Sequence, residues 1–175
     1  MRWFLPILLV SVLVLAISIT WTNLRGAPWM PTPMSMVNKM LKMAEVGPDD
    51  VVYDLGCGDG RMVITAARRY GARAVGIEID PLRYLWCQLL VTVLGLRDRV
   101  KIVFGDFFSQ DLSAADVVTC YLLQGTNRKL QCKLKAELQP GSRAVSHYFT
   151  FPGLQLVRQD EEAKLYMYIL GLSPQ

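Results

Sequence analysis

Three acidic residues stand where short apolar runs give way to loops: Asp54, Glu78 and Asp106. The first belongs to Val51-Val52-Tyr53-Asp54-Leu55-Gly56-Cys57-Gly58-Asp59-Gly60-Arg61, an apolar run that ends in an acid and passes into three alternating glycines. Glycines at Gly56, Gly58 and Gly60 let the backbone approach a nucleotide-like ligand closely, and Gly58 is expected in a conformation forbidden to a side chain. Glu78 follows the glycines by about twenty residues, where a carboxylate accepts hydrogen bonds from the two hydroxyls of a ribose. Asp106, in Phe104-Gly105-Asp106-Phe107-Phe108, is placed to receive an adenine amino group with Phe107 beside the ring. A dinucleotide-binding turn would carry another glycine where Arg61 stands, and its helix would meet a pyrophosphate. The expected ligand is therefore adenosine-like and lacks that phosphate pair. Any one of these acids alone could be a solvated loop carboxylate or a helix cap; the conjunction carries the reading.

The elements that must position them alternate strand with helix from Asp50 onward, the pattern of βαβ units around a parallel sheet. Strands are predicted at Val51 to Leu55, Ala74 to Ile79, Val100 to Phe104, Asp116 to Tyr121 and Arg143 to Phe149. Helices are predicted from about Gly60 to Tyr70, from Pro81 to Leu94 and from about Thr126 to Leu138. Asp80 serves as N-cap to the second of these with Pro81 at its first position, and Gly95 stops it. On that helix Leu82, Leu85, Leu89 and Val93 recur at helical spacing and are expected to face the sheet. Leu154 to Gln159 and Lys164 to Leu170 read as an antiparallel hairpin.

Ahead of this domain, residues 26 to 34 hold three prolines and read as a linker. Ser35 is expected to cap a leading helix that runs to about Glu45, with Met36, Met40 and Met43 on one face and Gly47-Pro48 as the stop. The run from Trp3 to Trp21 carries no charge. About twenty such residues span a bilayer core, and tryptophans at both ends suit the interfacial belts. One transmembrane helix is therefore expected within residues 1–25, followed by the linker and leading helix over 26–47 and the catalytic domain over 48–175. The expected location is a single pass through a membrane, with the domain facing the cytosol or the mitochondrial matrix.

Composition narrows the partners. Nineteen basic against fifteen acidic residues leave a net charge of +4, spread along the chain, which is too mild and too scattered to argue for nucleic acid. Cys57, Cys87, Cys120 and Cys132 form no CxxC pair and His147 is the single histidine. No metal is expected from that spacing, and the thiols read as reduced and mostly buried.

The segment from Asp54 to Gly60, Glu78 and Gly105-Asp106 together resemble the three motifs of class I methyltransferases. That resemblance implies an α/β, Rossmann-like seven-stranded sheet with helices on both faces and a terminal antiparallel strand, preceded here by the transmembrane helix. It implies S-adenosylmethionine as cofactor, bound by Asp54, Gly56, Gly58, Gly60, Glu78, Asp106 and Phe107. More narrowly, Pro31-Thr32-Pro33, Val118-Thr119-Cys120-Tyr121-Leu122-Leu123 and Ser146-His147-Tyr148-Phe149 resemble a family of small protein-lysine methyltransferases. That family includes archaeal broad-specificity enzymes and the mitochondrial enzymes that modify the ATP synthase c subunit; the similarity covers about residues 28 to 158. Cys57 replaces a common Ser or Thr, and Leu122-Leu123-Gln124 lacks a proline that relatives often carry. The implied substrate is a protein, lying in or beside the membrane.

Methyl transfer needs a neutral nucleophile held in line with the methyl and shielded from water, so proximity and orientation do most of the work. Tyr121 is the candidate catalytic residue, lining the transfer channel, or else an aromatic that packs at a strand end. His147 is a candidate base, or else a structural histidine. Two other functions compete: the same fold acting on a small molecule, on a lipid or quinone headgroup or on RNA, and a tethered module that binds the cofactor without catalysis.

Overall fold

The computed structural model describes residues 3–9 and 30–171. Helix α1 (Met34–Met43) leads into an alternation of β1 (Val51–Leu55), α2 (Arg61–Tyr70), β2 (Arg73–Glu78), α3 (Pro81–Val93), β3 (Val100–Phe104), β4 (Val117–Cys120), α4 (Gln124–Glu137) and β5 (Arg143–His147). The hairpin of β6 (Leu156–Asp160) and β7 (Leu165–Ile169) closes it. The seven strands form one sheet in the order β3-β2-β1-β4-β5-β7-β6. Strands β1 to β5 run parallel, and β7 inserts antiparallel between β5 and β6.

Period-two alternation along each strand divides the core between the two faces of the sheet. Val52, Ala74, Ile102, Val117 and Val145 point to one face, where α1, α2 and α3 deliver Leu41, Val63 and Cys87. Leu55, Ile77, Val118, Ala144 and Tyr168 point to the other, covered by Leu130 and Leu134 of α4 and by Leu112 and Phe151. Helix α1 is part of this core, for Val37, Met40 and Leu41 are buried and its C-terminal end is tied to β5 by Arg143, whose Nη1 donates to the Ala44 carbonyl at 2.7 Å. Its N-cap position holds Pro33 with no side-chain cap, so Ser35 does not start the helix as expected. Strand β5 stops two residues early, at His147, because Tyr148 takes a φ of 71°.

Helix α3 turns the opposite way from expectation. Cys87 and Val91 are its buried residues, whereas Leu85, Trp86, Leu89 and Val93 are 61%, 53%, 53% and 72% exposed. The reason is a close approach: a Cβ built on Gly60 would lie 2.2 Å from the Cys87 sulfur. Only a small side chain fits on the face of α3 that meets the glycine loop, so the leucines are turned outward.

The expected transmembrane anchor is corrected. Among the described residues no helix is long and apolar enough to cross a membrane. The described part of the Trp3 to Trp21 run is helical over residues 4–9. Residues 10–29, which carry the rest of that run and the start of the linker, lie outside the described residues. The expected single-pass location, with the domain facing the cytosol or matrix, falls with the anchor.

The orientation of α3 is testable by stability. Val91→Ala should cost roughly 1–3 kcal/mol in chemical denaturation, the range for deleting buried methyls. Leu89→Gln should stay within about 0.5 kcal/mol, as for an exposed site. The reverse order would show that the leucines face the sheet.

Candidate functional site

The order β3-β2-β1-β4-β5 reverses direction between β1 and β4, and in open α/β sheets the ligand crevice lies beyond the carboxyl ends of the strands at that point. Asp54 sits there, paired in register with Gly76 on β2 and Thr119 on β4. Its side chain is 7% exposed, and Thr119 Oγ1 donates to Asp54 Oδ1 at 2.8 Å. Burial pushes the Asp54 carboxyl up to about 7, against the Thr119 hydrogen bond that lowers it; Glu78 and Asp59 add to the rise. A buried carboxyl held in this way is short of a cation.

The loop after β1 is folded onto β2. Gly56 N and Cys57 N both donate to the Ile77 carbonyl, at 2.9 and 3.0 Å. Gly56, Gly58 and Gly60 have φ values of 82°, 57° and 80°, the left-handed region in which a side chain is strained. Gly58 N donates to Glu78 Oε2 at 2.8 Å, and Asp80 N donates to Glu78 Oε1 at 2.8 Å. Glu78 thus ties the glycine loop to the end of β2. Burial raises its carboxyl above the ordinary value, and those two N–H groups partly offset the rise. Asp80 itself is fully buried and caps α3, accepting from Leu82 N and Arg83 N at 2.9 Å each.

Asp106 joins the same rim through the backbone, since Gly105 N donates to the Glu78 carbonyl at 2.9 Å. One Asp106 oxygen accepts from Phe108 N at 2.9 Å and so caps the short 3₁₀ turn Phe107–Ser109. Phe107 is half-buried against the α4 side of the core and 4.7 Å from Phe108 between ring centroids.

A cavity of about 50 Å³ opens over the glycine loop. Asp54, Gly56, Gly58 and Tyr121 line it, while Gly60, Glu78, Asp106 and Phe107 lie outside its wall. The expected site residues are therefore brought together in two parts: the acid, glycines and tyrosine around the cavity, and the Glu78 and Asp106 rim bonded to them by main-chain groups. Residues read as linker also belong to the cavity, for Met30, Pro31 and Thr32 form its outer wall. Arg61 holds them there by donating from Nη1 to the Thr32 carbonyl at 2.8 Å while its Nη2 pairs with Asp59 at 2.5 Å. Burial acts to raise the Asp59 carboxyl, but the Arg61 hydrogen bonds and charge outweigh it and hold it below the ordinary value. The Pro-Thr-Pro rigidity was the available signal for this wall, and it reads equally well as a spacer. Thr119 was missed as the partner of Asp54, because only the β1–β4 register brings it there.

At the other end of the cavity the surroundings are aromatic. His147 packs on Tyr121 in a tilted arrangement, with ring centroids 4.4 Å apart. Burial lowers the His147 pKa and raises that of Tyr121, whose phenol also feels Tyr148. The His147 Nδ1 is buried without a hydrogen-bond partner. Among the described residues no cluster of three or more His, Cys, Asp or Glu is placed to hold a metal. Cys57, Cys87 and Cys120 are buried free thiols and Cys132 is an exposed one.

The ANTKMT methyltransferase domain model matches residues 54–158. Over 151 residues the chain is 42% identical to a protein-lysine N-methyltransferase of Saccharolobus islandicus (strain REY15A), covering 82% of this chain and 94% of that one. Over 125 residues it is 30% identical to the Xenopus laevis lysine N-methyltransferase of the ATP synthase c subunit, covering 71% of this chain and 54% of the relative. The chain thus spans about half the length of that second relative. Among solved structures, the crystal structure of an RNA methyltransferase from Salinibacter ruber in complex with S-adenosyl-L-homocysteine superposes with a TM-score of 0.79 at 42% identity, covering 83% of this chain and 97% of that chain.

The buried acid at the switch point makes a pH prediction. Asp54 has an ordinary value of 3.8 and about 7 in the folded chain. The stability it contributes is complete below about pH 4 and is lost as pH rises through about 7. Thermal unfolding between about pH 5 and 8 should therefore show wild type losing stability relative to Asp54→Asn, which cannot ionise. Parallel curves over that window would show that Asp54 does not titrate there.

Proposed function

The chain belongs to the ANTKMT methyltransferase domain family and is an S-adenosylmethionine-dependent methyltransferase, and on that footing we propose that its acceptor is the ε-amine of a protein lysine. The observation that carries the proposal is the 42% identity, along nearly all of the relative, to a protein-lysine N-methyltransferase.

The residues present fit the cofactor. S-adenosylmethionine, when bound, supplies an electrophilic methyl group on a positively charged sulfur. Asp54, buried and lacking a cation, is the group that would answer the positive charge of its methionine end. Gly56, Gly58 and Gly60 would let the main chain lie against it. Glu78 retains acceptor capacity beyond its two main-chain bonds and would take the ribose hydroxyls. Asp106, with one oxygen engaged in capping, has the other for the adenine amino group, with Phe107 beside the ring. Tyr121 bridges the cavity to its aromatic end and would line the path of the acceptor. A lysine near pKa 10.4 must shed a proton before it can attack, and the low polarity around Tyr121 and His147 favours its neutral form. Positioning in line and excluding water would supply most of the acceleration.

A second reading has one observation behind it, the description of the similar Salinibacter ruber protein as an RNA methyltransferase. The scattered charge of +4 argues against it, since RNA binding rests on concentrated basic surface.

Two experiments test the function. S-adenosylmethionine at a hundredfold excess over its Kd should stabilise the chain by about 2.7 kcal/mol, a rise in Tm on the order of 5–10 °C for this size. Glu78→Ala and Asp54→Ala should each remove most of that shift. Methyl-labelled cofactor should then be offered with the ATP synthase c subunit, with a pool of soluble proteins and with total RNA. Methyl-lysine in a hydrolysate of either protein sample is the expected product, formed faster as pH rises toward the pKa of the bound amine. Label in RNA with every lysine unmodified would overturn the lysine reading.

A further inference from the structure

Outside the cavity, beyond the His147 ring that packs on its Tyr121 wall, stands a residue with a strained backbone. Tyr148 has a φ of 71°, and Phe149 N donates to the His147 carbonyl at 2.9 Å. A hydrogen bond from residue i+2 back to residue i around a positive φ makes the rarer, strained hand of γ-turn. The other described non-glycine residues with positive φ are Glu45 and Lys164. Glu45 follows the end of α1 and Lys164 sits in the β6–β7 turn, where reversal of the chain calls for it. Tyr148 follows directly on β5.

Its surroundings hold it there. Tyr148 N donates to the Lys164 carbonyl at 2.7 Å. Asn127, fully buried on α4, donates from Nδ2 to the Phe149 carbonyl at 3.0 Å and to Ser146 Oγ at 3.1 Å. Gln124 bonds both the carbonyl and the N–H of Thr150, at 3.1 and 3.3 Å. Strain persists only where neighbours over-determine it, and it collects at functional sites.

What the strain achieves here is direction. The Tyr148 side chain is swung outward, 56% exposed, with its ring edge-on to His147 at 6.3 Å. His147 packs at a tilt on Tyr121, and Tyr121 lines the cavity beside Asp54 and Gly56. Three rings thus mark a path from solvent to the glycine loop. Burial lowers the pKa of the His147 imidazole and so disfavours its charged form on this path.

Resting on the lysine reading, we infer that Tyr148 is an acceptor-binding residue that takes the incoming lysine ammonium on its ring face, with the methylene stem lying along Tyr121 and His147. A cation over an aromatic face is attracted by the ring quadrupole, and a lysine stem packs on apolar surface while its charged head stays in contact with water or π density.

Three variants of the full chain test this with a lysine-bearing acceptor that wild type methylates. Tyr148→Gly removes the ring and relieves the positive φ, so Tm should rise while KM for the acceptor rises about fivefold. Tyr148→Leu keeps bulk without π density and should show a similar KM increase. Tyr148→Phe keeps the ring and should stay within about twofold. Affinity for S-adenosylmethionine, titrated without acceptor, should be unchanged in all three. An acceptor KM within twofold of wild type in Tyr148→Gly, or equal KM values for the Leu and Phe variants, would overturn the inference. Absence of any lysine methylation by wild type would instead overturn the function on which it rests.

Discussion

The loop after β1 must lie closer to its neighbours than a Cβ allows, and the rest of the site depends on that approach. A Cβ on Gly76 would meet the Cys57 sulfur at 2.7 Å, and one on Gly60 would meet the Cys87 sulfur at 2.2 Å. With those side chains absent, the loop settles onto the end of β2, where Glu78 accepts from Gly58 N and the Ile77 carbonyl accepts from Gly56 and Cys57. From this one contact follow the start of α2, the depth at which Asp54 is buried and the rotation of α3 that leaves its leucines outside. Local glycine chemistry thereby sets the packing of two helices.

The two ends of the site differ in electrical character. Around Asp54 and Glu78 the groups are acidic and buried, with carboxyls raised by desolvation, so a cationic ligand relieves a cost already present in the fold. Around Tyr121, His147 and Tyr148 the groups are aromatic and uncharged, suited to an amine that must arrive and then become neutral. Cys120, at the end of β4 between these ends, is pushed up to about 12 by burial and is therefore an inert apolar wall, not a competing nucleophile.

Outward leucines and a tryptophan on α3 form a stripe beside the β3 edge of the sheet, with Phe104 also half-exposed. An amphipathic helix ordinarily turns such a stripe inward. Here loop packing prevails over helix patterning, because the glycine loop tolerates only a side chain as small as Cys87 against it. The same hydrophobic spacing that predicts a helix over these residues therefore gives no information about which side meets the sheet.

The sequence by itself determined the order and type of the elements, because βαβ alternation, the Asp80-Pro81 start and the Gly95 stop are local signals with local physics. It also determined the glycine loop and the three strand-end acids, since their spacing follows the repeat of the fold. Only the tertiary structure decided what those acids touch. Thr119 reaches Asp54 across 65 residues through strand register, Asn127 and Gln124 clamp the turn at Tyr148 from another helix, and Thr32 is drawn onto the cavity by Arg61. The length of the apolar N-terminal run suggested a bilayer, yet length and hydropathy alone do not establish a spanning helix. Contacts between residues distant in the chain leave no periodicity to read, so the face of α3, the wall formed by Met30 to Thr32 and the strained Tyr148 became visible only once the strands were paired.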